Sequence, residues 1–330
     1  MRHILIAGAG SVGCYAGGCL ALAGRPVTLL GRASLLDRIA AGGLRVSDLD
    51  GLDRTLPTGP GLRLDTDPAA AMADAGLILV TVKCADTSAM ADLIATHAPP
   101  DALVISLQNG VGNAGILAQR LGPDRVLAGM VPFNIVQLPD GRFHRGTGGR
   151  IMIAAGQDGV RAELDVPGLP VAESADMDAV LWGKLLINLN NALNALSGLP
   201  LAQQVAARPW RLLLAHQQWE GLRALRRAGI KPAKSAALAP HLLPWLLCLP
   251  DPLFRLAARR MLSIDPLARS SMWEDLERHR PTEIDRLQGA VIDLAERHGL
   301  DAPVNRRVRD LIRAAEQAGA GSPGLAAGAV

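Results

Sequence analysis

The first half of the chain alternates short apolar runs with stretches of helical character, a pattern that parallel-sheet domains show. The run over residues 76–83 is apolar almost throughout, which suits a central strand covered on both faces. We therefore predict a parallel sheet with helices packed on it. The strands that this pattern predicts are residues 4–7, 26–30, 76–83, 102–107, 126–131 and 150–155.

Beyond this region, apolar positions recur three and four residues apart, which predicts helices. The predicted helices are residues 175–196, 206–228, 238–247, 253–263, 272–278, 283–299 and 306–317. The expected fold class is an α/β Rossmann-type parallel-sheet domain followed by an all-helical C-terminal domain, with the active site in the cleft between them. The expected boundaries are 1–172 for the sheet domain, 173–317 for the helical domain and 318–330 for a small, polar, flexible tail.

A glycine-rich segment directly follows the first apolar run, where a strand would turn into a helix. Its sequence fits G-x-G-x-x-G: Gly8, Ala9, Gly10, Ser11, Val12 and Gly13. In a dinucleotide site the first glycine permits a tight turn, the second lets the backbone approach a pyrophosphate, and the third allows close helix packing. The motif alone is weak evidence because the chain has 35 glycines. Its position between a strand and a helix is what predicts dinucleotide binding.

The end of the second predicted strand indicates which dinucleotide is bound. An NAD-preferring unit places Asp or Glu there to bind the ribose hydroxyls, whereas this chain has Gly31-Arg32. A guanidinium suits the 2′-phosphate of NADP(H), so NADP(H) is favoured, with an ordinary surface arginine as the alternative. Thr81, Lys83, Asn109 and Gly110 lie at the carboxyl ends of predicted strands and are also expected to face the cofactor.

Composition and charge narrow the function classes. The 34 basic and 31 acidic side chains among 330 residues give a net charge of +3, which argues against a large nucleic-acid footprint. The 4 cysteines show no C-x-x-C spacing, and neither a disulfide framework nor a metal site is expected. The leucine-rich stretch 238–258 is interrupted by prolines, which favours a packed helical hairpin over a membrane helix. We find no signal segment, so we expect a cytoplasmic protein.

Two segments of the helical half have the residues expected for acid catalysis. Lys184 and Asn188, within 181–188 (LWGKLLIN), are four apart and share one helix face. The segment 269–285 (RSSMWEDLERHRPTEID) has a helix start at Pro281-Thr282-Glu283. A lysine has an ordinary pKa of about 10.4, so at neutral pH it can polarise a carbonyl and donate a proton. Taken singly, each of these residues also fits an ordinary helix surface.

Together these features resemble the ketopantoate reductase (2-dehydropantoate 2-reductase) family over nearly the whole chain. The pairing of W-x-K-L-x-x-N with S-S-M-x-x-D-x-x-x-x-R-x-T-E-I-D is far more specific than the glycine motif. The resemblance implies NADPH-dependent reduction of the ketone of 2-dehydropantoate to (R)-pantoate, on the route to pantothenate and coenzyme A. It implies that Lys184 is the general acid and that Glu283 orients it. It also implies substrate contacts by Asn109, Asn188 and Ser271, and cofactor contacts by Gly8, Ala9, Gly10, Ser11, Val12, Gly13, Arg32, Lys83 and Asn109.

The chain departs from the family pattern at two substrate-side positions, where Ala192 and Ala268 stand in place of asparagines. A site built to bind polar groups discriminates strongly through such contacts, so another small 2-keto acid is an alternative substrate. A non-catalytic NADP(H) sensor is a second alternative, but it would have no need of Lys184 and Glu283. The oligomeric state is left open, with a homodimer as one alternative.

Overall fold

The computed structural model describes residues 1–234, 238–259 and 268–330. The chain divides into two compact units, 1–177 and 178–330. The first unit extends beyond the expected boundary at residue 172 because the strand Val171–Ser174 pairs in parallel with the strand Ile151–Ala154. The expected boundary at residue 172 falls inside the second of these strands, and this strand belongs to the sheet of the first unit along its whole length.

The first unit is a sheet domain, as the apolar runs predict. Its strands are β1 Ile4–Ala7, β2 Val27–Leu30, β3 Leu44–Asp48, β4 Asp53–Leu56, β5 Leu62–Asp65, β6 Leu77–Val80, β7 Leu103–Ser106, β8 Val126–Met130, β9 Ile135–Gln137, β10 Phe143–Arg145, β11 Ile151–Ala154 and β12 Val171–Ser174. Its helices are α1 Ser11–Leu22, α2 Ala33–Gly42, α3 Pro68–Met72, α4 Thr87–His97, α5 Asn113–Leu121 and α6 Val160–Leu164.

An eight-stranded sheet in the order β12-β11-β8-β7-β6-β1-β2-β5 forms the centre of this unit. Its strands pair in parallel except β8 and β11, which are antiparallel. Strand β1 lies between β2 and β6, so the strand order reverses at β1, the position where open α/β sheets bind ligands. The Rossmann-type architecture expected from the sequence is confirmed.

The central strands are buried on both faces, which explains why their sequences are continuously apolar. Along β1, Ile4 and Ile6 belong to one hydrophobic core, while Leu5 and Ala7 belong to the other. Each buried aliphatic side chain contributes about 1.5–3 kcal/mol relative to an exposed one. A second, four-stranded sheet, β4-β3-β10-β9, was not predicted. Most residues of β4 are exposed, so this strand shows no apolar run.

Within 178–234, 238–259 and 268–330, the second unit consists of helices and the turns between them, with no strand. Its helices are α7 Met177–Asn188, α8 Asn190–Ser197, α9 Leu201–Ala206, α10 Arg208–Arg227, α11 Leu243–Leu247, α12 Asp251–Ala257, α13 Ser271–Glu277, α14 Ile284–Arg297 and α15 Pro303–Ala318. No helix within 1–234, 238–259 and 268–330 combines the length and apolar character that crossing a bilayer requires.

The predicted helix 175–196 is two helices, α7 and α8, separated at Leu189. Leu189 keeps helical angles (φ −55°, ψ −26°), so the interruption is local. The Gln288 side chain donates to the Leu189 carbonyl at 3.0 Å. A side chain that inserts into the backbone hydrogen-bond ladder is a recognised cause of helix interruption. For the predicted helix 253–263, residues 260–263 lie outside the described residues.

The leucine-rich stretch forms the short helices α11 and α12, joined by a turn. Arg211, 1% exposed, donates to the carbonyls of Leu247 at 3.1 Å and Leu249 at 3.0 Å. Its guanidinium also pairs with Asp251 at 2.6 Å and lies 4.1 Å from the ring centre of Phe254. One buried arginine therefore fixes the turn against α10, and the prediction of a packed helical hairpin agrees with these contacts.

The C-terminal residues are bonded to the helical unit, in contrast to the expected flexible tail. Helix α15 ends at Ala318 and is capped by Gly319, which has left-handed angles. Beyond it, the Ser322 hydroxyl donates to the Ala195 carbonyl at 2.6 Å, and the Leu325 amide donates to the Leu196 carbonyl at 2.8 Å. The segment therefore covers the end of α8.

Candidate functional site

The turn from β1 into α1 shows three different environments for its three glycines. Gly8 has a φ of 112°, and a Cβ there would lie 2.7 Å from the Val82 nitrogen. A Cβ on Gly13 would lie 2.7 Å from Ile6 Cγ2. A Cβ on Gly10 would meet nothing within 4 Å. The first and third glycines therefore allow close packing, while the second borders open space at the start of α1.

Neighbouring strands hold this turn in place. The amides of Gly8 and Ala9 donate to the Leu30 carbonyl at 3.1 and 2.8 Å. The Thr81 hydroxyl donates to the Gly8 carbonyl at 2.7 Å. Thr81, expected to face the cofactor, therefore supports the turn instead. An α-helix leaves its first N–H groups without intrahelical partners and has a positive dipole end. The fixed turn and the open space at Gly10 thus fit a phosphate group.

The other predicted cofactor residues follow strands of the same sheet that lie next to β1 or one strand further away. Arg32 is exposed and directly precedes α2, at the end of β2. Lys83 follows β6 and Asn109 follows β7, and both are exposed. Because β2, β1, β6 and β7 are consecutive parallel strands, their carboxyl ends share one edge. The structure thus places Arg32, Lys83 and Asn109 along the same edge as the glycine turn.

In the second unit, Lys184 and Asn188 both lie on α7, as predicted. Lys184 is partly buried beside the buried residues Leu185 and Trp182. Burial lowers the pKa of the Lys184 ammonium from its ordinary value of 10.5, because desolvation disfavours the charged form. Asn188 is 8% exposed and ends α7. The helix thus carries a desolvated ammonium and a nearly buried amide on one face.

Glu283 directly precedes α14, at the helix start that Pro281-Thr282-Glu283 predicts. The Thr282 hydroxyl accepts from the Ile284 amide at 3.3 Å, and the Thr282 amide donates to Glu316 Oε1 at 2.6 Å. The Gln288 contact with Leu189 ties α14 to the residue after Asn188. These bonds fix the backbone on both sides of Glu283 and connect its helix to α7.

The serine pair before α13 has two distinct roles. Ser270, 4% exposed, is the N-cap, and its hydroxyl accepts from the Trp273 amide at 3.2 Å. Ser271 is exposed and begins the helix, so its hydroxyl is not the capping group. Asn194 is fully buried and its Oδ1 accepts from the Ser270 amide at 2.9 Å. Asn194 therefore sets the position of the serine pair.

The two alanines that stand where the family pattern has asparagine lie in different surroundings. Ala192 is fully buried in α8, and Ala268 is partly buried. The Ala268 carbonyl accepts from the Leu201 amide at 2.9 Å.

Within residues 1–234, 238–259 and 268–330, no group of three or more His, Cys, Asp or Glu side chains could hold a metal ion.

The sequence does not single out Asn194 and Gln288, which act on the backbone of the site, and it predicts a different role for Thr81. Their signal in the sequence is weak. Asn194 and Gln288 are polar residues on helix faces that are otherwise apolar, and only the fold shows which carbonyl or amide each one meets.

Two family models and the curated relatives point to the same family. The family model described as ketopantoate reductase PanE/ApbA matches residues 4–158, and its C-terminal counterpart matches residues 176–316. The 2-dehydropantoate 2-reductase of Halobacterium salinarum is 31% identical over 96% of this chain and 100% of its own length. That of Archaeoglobus fulgidus is 28% identical over 96% of this chain and 98% of its own length.

Solved structures agree with this result. A PanE/ApbA family ketopantoate reductase from Ralstonia eutropha has a TM-score of 0.78 and 32% identity, covering 96% of this chain and 99% of that one. A 2-dehydropantoate 2-reductase from Geobacter metallireducens has a TM-score of 0.79 and 25% identity, covering 95% of this chain and 99% of that one. The family matches span both units, and the chain belongs to the ketopantoate reductase family.

Proposed function

We propose that this protein reduces the ketone of 2-dehydropantoate to (R)-pantoate with NADPH, and that Lys184 donates the proton. It is an NADP-dependent oxidoreductase of the 2-dehydropantoate 2-reductase type. The observation that carries the proposal is the desolvated lysine on α7, at the position that the family motif gives to the general acid. A sensor that only binds NADP(H) has no use for such a lysine, and this alternative is not favoured.

The glycine turn fits a dinucleotide pyrophosphate. The second glycine borders open space, while the first and third keep the turn tight. In this proposal the segment Gly8–Gly13 holds the phosphates, Arg32 binds the 2′-phosphate, and Lys83 and Asn109 contact the cofactor along the same sheet edge. When bound, NADPH supplies the hydride that the ketone carbon accepts.

The side chains of the helical unit supply the rest of the chemistry. As hydride reaches the ketone carbon, negative charge develops on its oxygen, and the Lys184 ammonium stabilises that charge and then protonates the alkoxide. Burial makes Lys184 a stronger acid than a solvated lysine because its pKa is lowered. Glu283 orients the ammonium, Asn188 binds a substrate oxygen, and Ser271 binds the substrate carboxylate through its exposed hydroxyl.

A cytoplasmic location stays a prediction from the sequence, and a homodimer stays one alternative for the oligomeric state. A ketopantoate reductase from Staphylococcus aureus is described as dimeric, but that structure is 18% identical to this chain and supports the shared fold alone. Size-exclusion chromatography with light scattering of the purified chain would determine the assembly state.

The experiment that tests the function is an initial-rate assay of NADPH oxidation with 2-dehydropantoate beside a panel of other small 2-keto acids. We expect the highest kcat/KM for 2-dehydropantoate. If the protein reduces only another 2-keto acid, the proposed reaction type stands and 2-dehydropantoate is rejected as the substrate. The change of substrate would then be traced to Ala192 and Ala268, the two departures from the family pattern. No turnover of any acid, with NADPH bound, would reject catalysis and revive the sensor.

A further inference from the structure

The segments that carry Lys83 and Asn109 are joined by a buried group of polar side chains with no assigned role. One segment follows β6 and leads into α4, and the other follows β7 and leads into α5. The group consists of Cys84, Thr87, Gln108 and Asn113, each at most 6% exposed. Polar groups with this degree of burial are costly unless they are hydrogen-bonded, so their partners indicate what they hold in place.

Asn113 and Cys84 hold the backbone of Asn109. The Asn113 side-chain amide donates to the Asn109 carbonyl at 2.8 Å. The Cys84 thiol, which belongs to the other segment, lies 3.1 Å from the same carbonyl as a second donor. Two donors from different segments converge on one peptide group, so the Asn109 backbone has little freedom to turn.

Gln108 and Thr87 hold the backbone on either side of Lys83. The Gln108 side-chain amide donates to the Val82 carbonyl at 3.1 Å and to the Thr87 hydroxyl at 2.8 Å. The Thr87 hydroxyl in turn donates to the Cys84 carbonyl at 2.9 Å. The carbonyls directly before and after Lys83 are thus both bonded into the same network.

We propose that Thr87, Gln108 and Asn113 are positioning residues that lock the two segments together and so set the spacing of Lys83 and Asn109. This inference rests on the proposed function, because it takes Lys83 and Asn109 as contacts for the nicotinamide side of the cofactor. They follow β6 and β7, on the other side of β1 from β2, whose end carries the proposed 2′-phosphate contact Arg32. The glycine turn and Arg32 lie outside the network, so adenosine-side binding does not depend on it. The network therefore controls affinity for the nicotinamide side of NADPH and the rate of reduction.

The test compares Thr87→Val with Thr87→Ser in the full-length chain. Valine has nearly the shape of threonine but neither accepts from Gln108 nor donates to Cys84, whereas serine keeps both bonds. Thr96→Val is the matched control, because Thr96 lies on the same helix, α4, and its exposed hydroxyl donates only to the Asp92 carbonyl at 2.8 Å. Calorimetry gives Kd for NADPH and for adenosine 2′,5′-bisphosphate, which lacks the nicotinamide half.

For Thr87→Val we expect an NADPH Kd raised about tenfold, equal to roughly 1.4 kcal/mol, with the bisphosphate Kd changed less than twofold and kcat lowered. Thr87→Ser and Thr96→Val should resemble the parent in all three quantities. The inference would be overturned if Thr87→Val raised the Kd for NADPH and for the bisphosphate equally, or raised neither. If Thr87→Val does not fold, the isosteric Asn113→Asp, which replaces the donor to Asn109 by a carboxylate, takes its place with the same expectations.

The outcomes separate this inference from the proposed function. A parent protein that binds NADPH but does not reduce 2-dehydropantoate rejects the function, while the two Kd values still test the network. A parent that reduces 2-dehydropantoate, together with a Thr87→Val variant that shows no selective loss of NADPH, rejects the network and leaves the function standing.

Discussion

Substituting alanine for Gly10 separates cofactor binding from folding at the glycine turn. The backbone of Gly10 has a φ of −94°, which alanine adopts readily, and an added Cβ meets nothing within 4 Å. The folded chain therefore accepts the methyl group. Alanine is a poorer N-cap than glycine, which costs about 0.5–1 kcal/mol. For a unit of this size that lowers the Tm by a few °C.

The same methyl group occupies the space proposed for the pyrophosphate. If it displaces one phosphate oxygen from a backbone N–H, the loss is one hydrogen bond to a charged group, worth about 1.5–3 kcal/mol. Each 1.4 kcal/mol corresponds to about a tenfold change in Kd. We therefore expect Gly10→Ala to bind NADPH roughly ten- to a hundredfold more weakly, as measured by fluorescence titration, while its circular dichroism spectrum matches that of the parent.

Gly13→Ala provides the contrast. Its Cβ would lie 2.7 Å from Ile6 Cγ2, whereas carbon atoms in contact are about 3.5–4.0 Å apart. Overpacking of this kind costs about 1–3 kcal/mol, so thermal unfolding should show a larger loss of stability than for Gly10→Ala. A Gly10→Ala variant that binds NADPH as tightly as the parent would refute the placement of the pyrophosphate at this turn.

Three further predictions concern charged residues. Lys184→Ala should lower kcat about 10²–10⁴-fold while the Kd for NADPH stays within twofold, as steady-state rates and titration will show; unchanged turnover would remove Lys184 from the mechanism. In the parent, reduction should fall as pH rises through a pKa below 10.5, because burial lowers the pKa of Lys184 and only the charged form donates; a rate that stays constant up to pH 10.5 contradicts this. Because burial disfavours the charged form of Lys184, the free energy of unfolding should rise as the pH rises toward 10.5 and the folded protein loses this proton. Arg32→Ala should weaken NADPH binding roughly ten- to a hundredfold without affecting NADH binding. Arg38→Ala, which removes an exposed arginine from α2, the helix that Arg32 precedes, should affect neither; an unchanged preference would make Arg32 an ordinary surface residue.

The sequence predicts the sheet domain well because its strands are buried on both faces and therefore read as unbroken apolar runs. It predicts little of the second sheet, since β4 is mostly exposed and its residues are polar. The boundary between the units also escapes prediction. It depends on the pairing of β12 with β11, and pairing between strands is not a local property.

The same distinction applies to the candidate site. The glycine motif and Arg32 are predicted from their places after strands, whereas the roles predicted for Lys184 and Glu283 follow from the resemblance to the family. The residues that fix the backbone around them cannot be predicted in either way. Gln288 and Asn194 act on carbonyl and amide groups far away in the chain. Ser270 rather than Ser271 caps α13, a difference that the sequence of two adjacent serines does not resolve.

The most direct test of the account follows the transferred hydrogen. The purified chain is incubated with 2-dehydropantoate and NADPH in which both hydrogens at nicotinamide C4 are deuterium, and the product is analysed by mass spectrometry. We expect pantoate that carries a single deuterium on the former ketone carbon, and we expect Lys184→Ala to form it more slowly. Unlabelled pantoate, or bound NADPH without any pantoate, would contradict this expectation.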